Sequence, residues 1–293
     1  MLYLRGAIRT ISRVNKNSRA KLKIPRFILL LLMLASLPAL AEKPRRIVSM
    51  GLCTDQLLLM LADSEQIASV SVWARDSNMS YMIDAVGDIP LNRASIEEIV
   101  DFEPDLVVAS EFVAWDTVNF LRNLGYPVKQ VPVVTSVDQI YDLLDRFGGW
   151  TGHPQRARRM IEQMRRRLDA IEARYATRPA RSVIIYSPNG FTVGADTLEH
   201  DLFVRAGYRN LAAEMGINGF QAISLEKLVA ADPDVLQIDR SLSPQDSLAT
   251  AALSHPVLEK LIRHRENLEI PTRLRICGGP MIVDAIEMMA ARR

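Results

Sequence analysis

The sequence predicts an α/β protein with mainly parallel β-sheets, arranged as two similar halves. Short β-branched segments alternate with amphipathic helical segments along the chain. One long helical segment separates two such series, and a 13-residue pattern occurs once in each series. The length of 293 residues agrees with two units of about 150 residues each.

The first 41 residues have the features of a cleavable secretory signal peptide. Basic side chains come first, and the apolar segment 27–37 precedes a Pro-Ala-Leu-Ala segment whose alanines match the pattern that signal peptidase recognises. The apolar segment has 11 residues, fewer than the about 20 that span a bilayer. We therefore predict a soluble, exported protein that is cleaved near Ala41. An uncleaved membrane anchor is the alternative interpretation.

The first series of elements starts at Arg46. A strand is followed by a turn at 51–54 and by a helix from Asp55, which is the order of a βα unit. Further β-branched segments recur between helical patterns, so we expect a mainly parallel sheet. The predicted strands of this series are 46–50, 67–70, 105–109 and 127–132.

One long helix is predicted between the two series. Pro154 suits the first helical position, where its missing N–H needs no partner. Apolar residues then recur at spacings of three and four, and the helical segment ends at Ala176. Its about 23 residues would extend for about 34 Å. Seven arginines occupy the other face of this helix, either as a solvated surface or as an anion-binding face.

The second series starts after Pro179. It again alternates apolar strands with helices, which predicts a second sheet. The predicted strands are 182–186, 191–193, 235–239 and 267–270, and the predicted helices are 198–206, 225–231 and 281–291.

A repeat marks the two halves as related, because the segment 95–107 aligns without gaps with the segment 224–236. Each copy starts with a serine that can cap a helix, and an acidic residue, a proline and an aspartate precede its last two, hydrophobic residues. The second helical residue is an acid in both copies, Glu97 and Glu226. A carboxylate there gains about 0.3–1 kcal/mol from the helix dipole without any partner. Alternatively, two equivalent carboxylates fit a symmetric partner with two basic sockets.

Charge is distributed unevenly along the chain. The whole sequence has 36 Lys and Arg against 34 Asp and Glu, a formal charge of +2. The first 41 residues hold eight basic side chains and no acidic one, so the remainder has 28 basic against 34 acidic side chains, a charge of −6. A general nucleic-acid-binding protein needs a basic surface. That class is therefore disfavoured, and we expect no nucleic-acid partner.

These segments together resemble the substrate-binding proteins of ABC importers, in particular the group for iron–siderophores, haem and cobalamin. The resemblance covers the opening strand-turn-helix at 46–58, the paired segments, and the loop motifs at 124–128, 206–210, 270–271 and 278–280. It implies two Rossmann-like lobes joined by one long backbone helix. The implied division is a signal peptide at 1–41, an N-terminal lobe at 42–150, the backbone helix at 151–178 and a C-terminal lobe at 179–293.

The function that this resemblance implies is binding, not catalysis. Such a periplasmic protein captures a metal chelate or a corrinoid between its lobes and delivers it to an ABC permease dimer in the inner membrane. We therefore expect a monomer with no catalytic residue, no resident cofactor and no site for a bare metal ion. The two docking glutamates of the family, which bind arginines of the permease, map onto Glu97 and Glu226.

The same resemblance places the ligand between the lobes, against loops at the carboxyl ends of the strands. Aromatic rings offer rigid apolar area, and arginines bind oxygen-rich groups. Core packing or a solvated loop is the alternative for each candidate, and the two cysteines are open to three roles: soft metal ligands, a disulfide between the lobes, or small buried residues. The candidates are Cys53, Thr54, Trp73, Arg75, Tyr81, Trp115, Tyr186, Asn189, Phe191, Arg240 and Cys277.

Other functions compete with this one. The four histidines lie outside the predicted cleft loops, which disfavours direct coordination of a metal ion. Haem stays an alternative, because a tyrosine such as Tyr81 can ligate its iron. Gly-x-Gly-x-x-Gly, P-loop and Gly-x-Ser-x-Gly motifs are absent from the sequence, so an enzyme is disfavoured. A ligand sensor of the same fold, without transport, is the last alternative.

Overall fold

The computed structural model describes residues 43–111, 115–238, 250 and 252–293. The predicted signal peptide and Arg240 lie outside the described residues. Within these ranges, no helix is both long enough and apolar enough to cross a membrane.

A parallel sheet with helices forms the N-terminal lobe. Its strands are β1 (Ile47–Ser49), β2 (Ile67–Ser71), β3 (Leu91–Asn92), β4 (Leu106–Ser110) and β5 (Val128–Val131), and its helices are α1 (Leu52–Leu61), α2 (Ile96–Asp101), α3 (Trp115–Asn123) and α4 (Val137–Thr151). Across the part of the lobe that is described, the strand order is β3-β2-β1-β4-β5. The central strands β1 and β4 are almost entirely buried, which is why their sequences are continuous apolar runs.

The long helix α5 spans Pro154–Tyr175 and begins at the proline that the sequence placed first. Its Arg156 guanidinium donates to the carbonyls of Leu61 and Ala62, both at 2.8 Å, and to Asp63 Oδ1 at 2.7 Å. These carbonyls belong to the C-terminal end of α1, where helical partners are lacking. Arg156 therefore fixes the start of α5 to the N-terminal lobe.

A second parallel sheet forms the C-terminal lobe. Its strands are β6 (Arg181–Tyr186), β7 (Phe191–Val193), β8 (Tyr208–Asn210), β9 (Phe220–Ala222), β10 (Val235–Ile238) and β11 (Glu266–Asn267), and its helices are α6 (Leu198–Arg205), α7 (Leu211–Glu214), α8 (Leu225–Ala231), α9 (Pro256–His264) and α10 (Ile282–Arg292). Among the described strands, the parallel order is β11-β10-β6-β8, and β7 and β9 form a separate antiparallel pair.

The hydrophobic core connects both lobes through α5. Ala157, Met164, Ile171 and Tyr175 of this helix are buried in one cluster with side chains of both sheets. Further along α5, Arg167 Nη2 lies 2.7 Å from Asp284 Oδ1, which fixes α5 to α10. The arginine face is thus partly engaged in ion pairs rather than uniformly solvated.

The predicted fold class, two α/β lobes with mainly parallel sheets, is confirmed. The strand predicted at 267–270 is wrong in its extent, because strand pairing covers only Glu266–Asn267. The chain then reaches Pro271, which cannot donate to a ladder, and turns into a 3-10 segment at Thr272–Leu274. We retain the division at 42–150, 151–178 and 179–293 as our proposal for the domain boundaries.

The repeated aspartates have the same role in the two lobes. The carboxylate of Asp105 accepts from the backbone N–H of Arg45 at 2.6 Å and of Arg46 at 2.9 Å, at the start of β1. The carboxylate of Asp234 accepts from the N–H and the hydroxyl of Ser182, both at 2.7 Å, at the start of β6. Each aspartate therefore ties the strand that follows it to the first strand of its own lobe.

Candidate functional site

A cavity of about 680 Å³ lies at the carboxyl ends of strands β1 to β4. In an open parallel sheet these ends face the crevice where ligands bind. Trp73, from the turn after β2, contributes a ring that is 53% exposed. The lining residues are Met50, Gly51, Leu52, Cys53, Ser71, Val72, Trp73, Met79, Asn92, Arg93, Ala94, Ser110 and Ile276.

A buried network of hydrogen bonds includes two residues that line this N-terminal cavity, Ser71 and Asn92. The Asp55 carboxylate accepts from the backbone N–H of Ser71 at 3.0 Å and from its hydroxyl at 2.5 Å. Asn92 Nδ2 donates to the carbonyl of Ser49 at 2.9 Å and to Ser69 Oγ at 2.8 Å. Burial raises the pKa of Asp55 to about 6. The network holds Ser71 and Asn92, which line the cavity, in place. Sequence reasoning did not find Asp55.

A second cavity, of about 270 Å³, lies in the C-terminal lobe. Its apolar rim includes Phe191 of β7 and Phe220 of β9, which are exposed on adjacent strands. Asn189 lies in the left-handed region, at a φ of 59°, next to Gly190. The cavity is lined by Ile185, Ser187, Pro188, Asn189, Phe191, Val193, Glu199, Phe220, Thr272, Arg275 and Ile276.

Charged groups also line this C-terminal cavity. Arg275, whose side chain is 6% exposed, has its Nη1 atom 3.8 Å from Oε1 of Glu199, whose side chain is 16% exposed. Glu199 is the second residue of α6, where the helix dipole favours a carboxylate. Sequence reasoning missed both residues, because neither directly follows a predicted strand.

The two cavities share one lining residue, which is the neighbour of a disulfide between the lobes. Cys53, in the first turn of α1, forms a disulfide with Cys277, and their Cα atoms are 5.2 Å apart. Ile276, the neighbour of Cys277, lines both cavities. The disulfide settles the three roles left open for these cysteines in favour of the bridge. We refer to these two cavities together as the cleft, with an N-terminal half and a C-terminal half that share Ile276.

Four of the eleven ligand candidates line this cleft: Cys53, Trp73, Asn189 and Phe191. The structure places others elsewhere. Thr54 is buried, and its hydroxyl donates to the carbonyl of Gly51 at 2.8 Å, at the start of α1. Tyr186 is buried at the end of β6, where burial raises its pKa.

Three further candidates lie on the N-terminal lobe but do not line either half of the cleft. Arg75 donates to the carbonyl of Gly87 at 2.7 Å. Tyr81 lines a separate cavity of about 220 Å³ with residues of α1, α5 and α10, and its hydroxyl lies 3.4 Å from Asp284 Oδ2. Trp115 is 68% exposed at the first position of α3.

The two acids of the repeat are exposed at equivalent positions. Glu97 and Glu226 are the second residues of α2 and α8. Ser95 Oγ and Ser224 Oγ accept from the third backbone N–H of the respective helix, each at 3.3 Å. The hydroxyl of Ser224 also lowers the pKa of Glu226. Both side chains are therefore exposed on the surface rather than packed in the core.

Comparison with known proteins places this architecture in a family. The model of the periplasmic binding proteins matches residues 47–270. The chain belongs to the periplasmic binding protein family. Members are substrate-binding parts of transport systems and not enzymes.

Across the described residues, no group of three or more His, Cys, Asp or Glu side chains could hold a metal ion.

The chain is similar to the following three proteins at identities of 25% to 28%. It is 28% identical over 218 residues to a cobalamin-binding protein of Halobacterium salinarum, which covers 73% of this chain and 59% of that relative. A vitamin B12-binding protein of Yersinia pseudotuberculosis is 25% identical over 230 residues, which cover 76% of this chain and 78% of the relative. The structure of a periplasmic haem-binding protein from Pseudomonas aeruginosa is 25% identical with a TM-score of 0.67, covering 85% of this chain and 92% of that one.

Proposed function

We propose that this protein captures a corrinoid in the cleft between its lobes and delivers it to an ABC permease dimer in the inner membrane. The observation that carries this proposal is the pair of cavities, one on each lobe, which share Ile276 in their lining next to the disulfide. Two of its similar proteins are named for binding cobalamin or vitamin B12. The protein would be exported by cleavage near Ala41 and would act as a monomer.

The lining of the cleft supports a large, partly apolar ligand. Trp73 stands on one side, and Phe191 and Phe220 stand on the other, all three exposed. Such rings give rigid contact area for a flat ligand at low entropic cost. The N-terminal half alone, at about 680 Å³, is within the range of sites that enclose a small organic ligand.

Delivery would depend on Glu97 and Glu226. Both are exposed carboxylates at helix starts, one on each lobe. Complementary charges steer association and fix the register of a complex. We propose that the pair docks on arginines of the two permease subunits.

Titration of the purified protein with cyanocobalamin, followed by its absorption spectrum and by native mass spectrometry, tests the binding step. We expect a one-to-one complex with a dissociation constant below about 1 μM. Parallel titrations use hemin and a ferric hydroxamate siderophore. If the protein binds hemin or the siderophore but not cyanocobalamin, that compound is the ligand and the corrinoid assignment is wrong. Binding of none would contradict the proposed function.

A further inference from the structure

The charged pair in the C-terminal half of the cleft combines a hydrogen-bond donor and an acceptor in one place. Arg275 is almost completely buried, and Glu199 is largely buried, with 3.8 Å between Nη1 and Oε1. Both side chains line the same cavity. Burial of charged groups is costly unless they are paired and hydrogen-bonded. A donor and an acceptor held side by side in a ligand cavity therefore define a specific recognition geometry.

The fold holds both residues firmly. Glu199 lies in the first turn of α6, which begins after Thr197, whose hydroxyl accepts from the N–H of His200 at 3.2 Å and donates to the carbonyl of Gly194 at 2.8 Å. Arg275 follows the 3-10 segment Thr272–Leu274, and Cys277, two residues later, is fixed by the disulfide. Such preorganised groups lose little entropy when they bind a ligand.

We propose that Arg275 and Glu199 form a subsite for a primary carboxamide. The guanidinium carries only donors, and a carboxylate in an ion pair with it carries only acceptors, so together they match the carbonyl and the NH₂ of one amide group. A ligand carboxylate could accept from Arg275, but it would meet the like charge of Glu199. This proposal rests on the proposed function, because the corrin ring carries primary acetamide and propionamide side chains, whereas the haem ring carries carboxylates.

The rest of the cavity fits the edge of such a ring. Phe191 and Phe220 supply apolar area at the rim. Asn189, exposed in the same cavity, adds an amide that can exchange hydrogen bonds with another carboxamide. A specific site discriminates by attraction to one ligand and by repulsion of its competitor. Here Arg275 and Glu199 both attract a carboxamide, and Glu199 repels a carboxylate at the same position.

The experiment compares dicyanocobinamide, which carries primary amides, with dicyanocobyrinic acid, in which carboxylates replace them. Affinities are measured by absorption titration for wild type, Glu199→Gln, Arg275→Gln and Glu214→Gln. Glu214 is an exposed acid of the same lobe that pairs with Arg209, so Glu214→Gln removes one negative charge away from the cavity. Thermal melting monitored by circular dichroism verifies that each variant is folded.

We expect Glu199→Gln to shift the preference toward the carboxylate ligand by about tenfold or more, and Glu214→Gln to leave it within about twofold of wild type. Arg275→Gln should lower the affinity for dicyanocobinamide by about tenfold or more. If wild type binds dicyanocobinamide but Glu199→Gln keeps the wild-type preference, the subsite is wrong and the corrinoid function stands. If wild type binds neither corrinoid, both proposals fall.

Discussion

Cys53 of the N-terminal lobe and Cys277 of the C-terminal lobe form a disulfide whose partners are 224 residues apart in the chain. The bond lies at the junction of the two halves of the cleft, next to Ile276. A link that closes so long a loop restricts the unfolded chain strongly. It also joins the lobes at a point distant in sequence from the connecting helix α5. The lobes are thus connected both through α5 and through this bond.

The first prediction concerns the stability that this bond provides. We expect Cys53→Ser with Cys277→Ser to lower the free energy of unfolding by about 2–5 kcal/mol, because the unfolded chain regains conformational freedom. Guanidinium unfolding, followed by circular dichroism, measures the change. With a reductant, the unfolding midpoint of wild type should approach that of the double variant. The midpoint of the double variant should not change with the reductant. Equal midpoints for oxidised and reduced wild type would contradict the prediction.

The second prediction uses the tryptophans as a matched pair. Trp73 lines the cleft and Trp115 does not, although both are more than half exposed. Trp73→Ala should weaken cyanocobalamin binding by about fivefold or more, since stacking on an aromatic ring contributes roughly 1 kcal/mol or more. Trp115→Ala should leave the affinity within about twofold. Isothermal titration calorimetry provides the constants, and equal losses in both variants would remove Trp73 from the site.

The third prediction separates docking from binding. Reversal of both repeat acids, Glu97→Lys with Glu226→Lys, should abolish permease-dependent uptake and leave the affinity for cyanocobalamin unchanged, because both side chains are exposed outside the cleft. The matched control is Glu65→Lys with Glu172→Lys, two exposed acids. It makes the same change in net charge and leaves the starts of α2 and α8 unchanged. Uptake of radiolabelled cyanocobalamin by cells that carry each variant is the measurement, and normal uptake with the reversed repeat acids would refute docking through them.

The fourth prediction concerns pH. Burial raises the pKa of Asp55 from 3.8 to about 6. The folded protein therefore holds the proton of the Asp55 carboxyl group more firmly than the unfolded chain does. As pH rises from about 4 to above 6, the unfolded chain releases the proton first, and the free energy of unfolding falls by up to about 3 kcal/mol.

Asp55→Asn tests this linkage. The amide can accept from the N–H of Ser71 and donate to its hydroxyl, which replaces the present hydrogen bonds. In this variant, the free energy of unfolding should no longer decrease between pH 4 and 7 on account of this residue. The variant should be at least as stable as wild type at pH 7.5. The exposed Asp145, changed to Asn, controls for the loss of one charge. Identical pH profiles for Asp55→Asn and wild type, from urea unfolding, would show that Asp55 is not the group responsible.

Local pattern predicted those parts of the site that lie next to strand ends. Trp73 and Asn189 line the cleft because parallel strands end at a common edge. Thr54 follows a strand end as well, but its hydroxyl turns inward to hydrogen-bond the start of α1. Adjacency to a strand therefore places a residue near the cleft without fixing the direction of its side chain.

Tertiary relationships were beyond the reach of the sequence. Glu199 has the pattern of an ordinary acid in a helical first turn, and nothing local links it to Arg275, which lies in a different segment of the same cavity. The pairing of Cys53 with Cys277 likewise depends on how the lobes approach each other. The repeat, in contrast, correctly predicted the helix starts that carry Glu97 and Glu226, because capping and helix ends are determined within about ten residues.

The fifth prediction concerns motion between the lobes. Hinge closure needs a few residues that absorb large backbone changes, whereas here the lobes are joined by the continuous helix α5 and by the disulfide. We expect cyanocobalamin to change the radius of gyration by less than about 1 Å, the scale of preorganised complexes. Small-angle scattering of wild type and of the variant with both cysteines changed to serine provides the comparison. A larger compaction in the variant alone would show that the disulfide limits opening, and a large compaction in wild type would contradict a rigid connection.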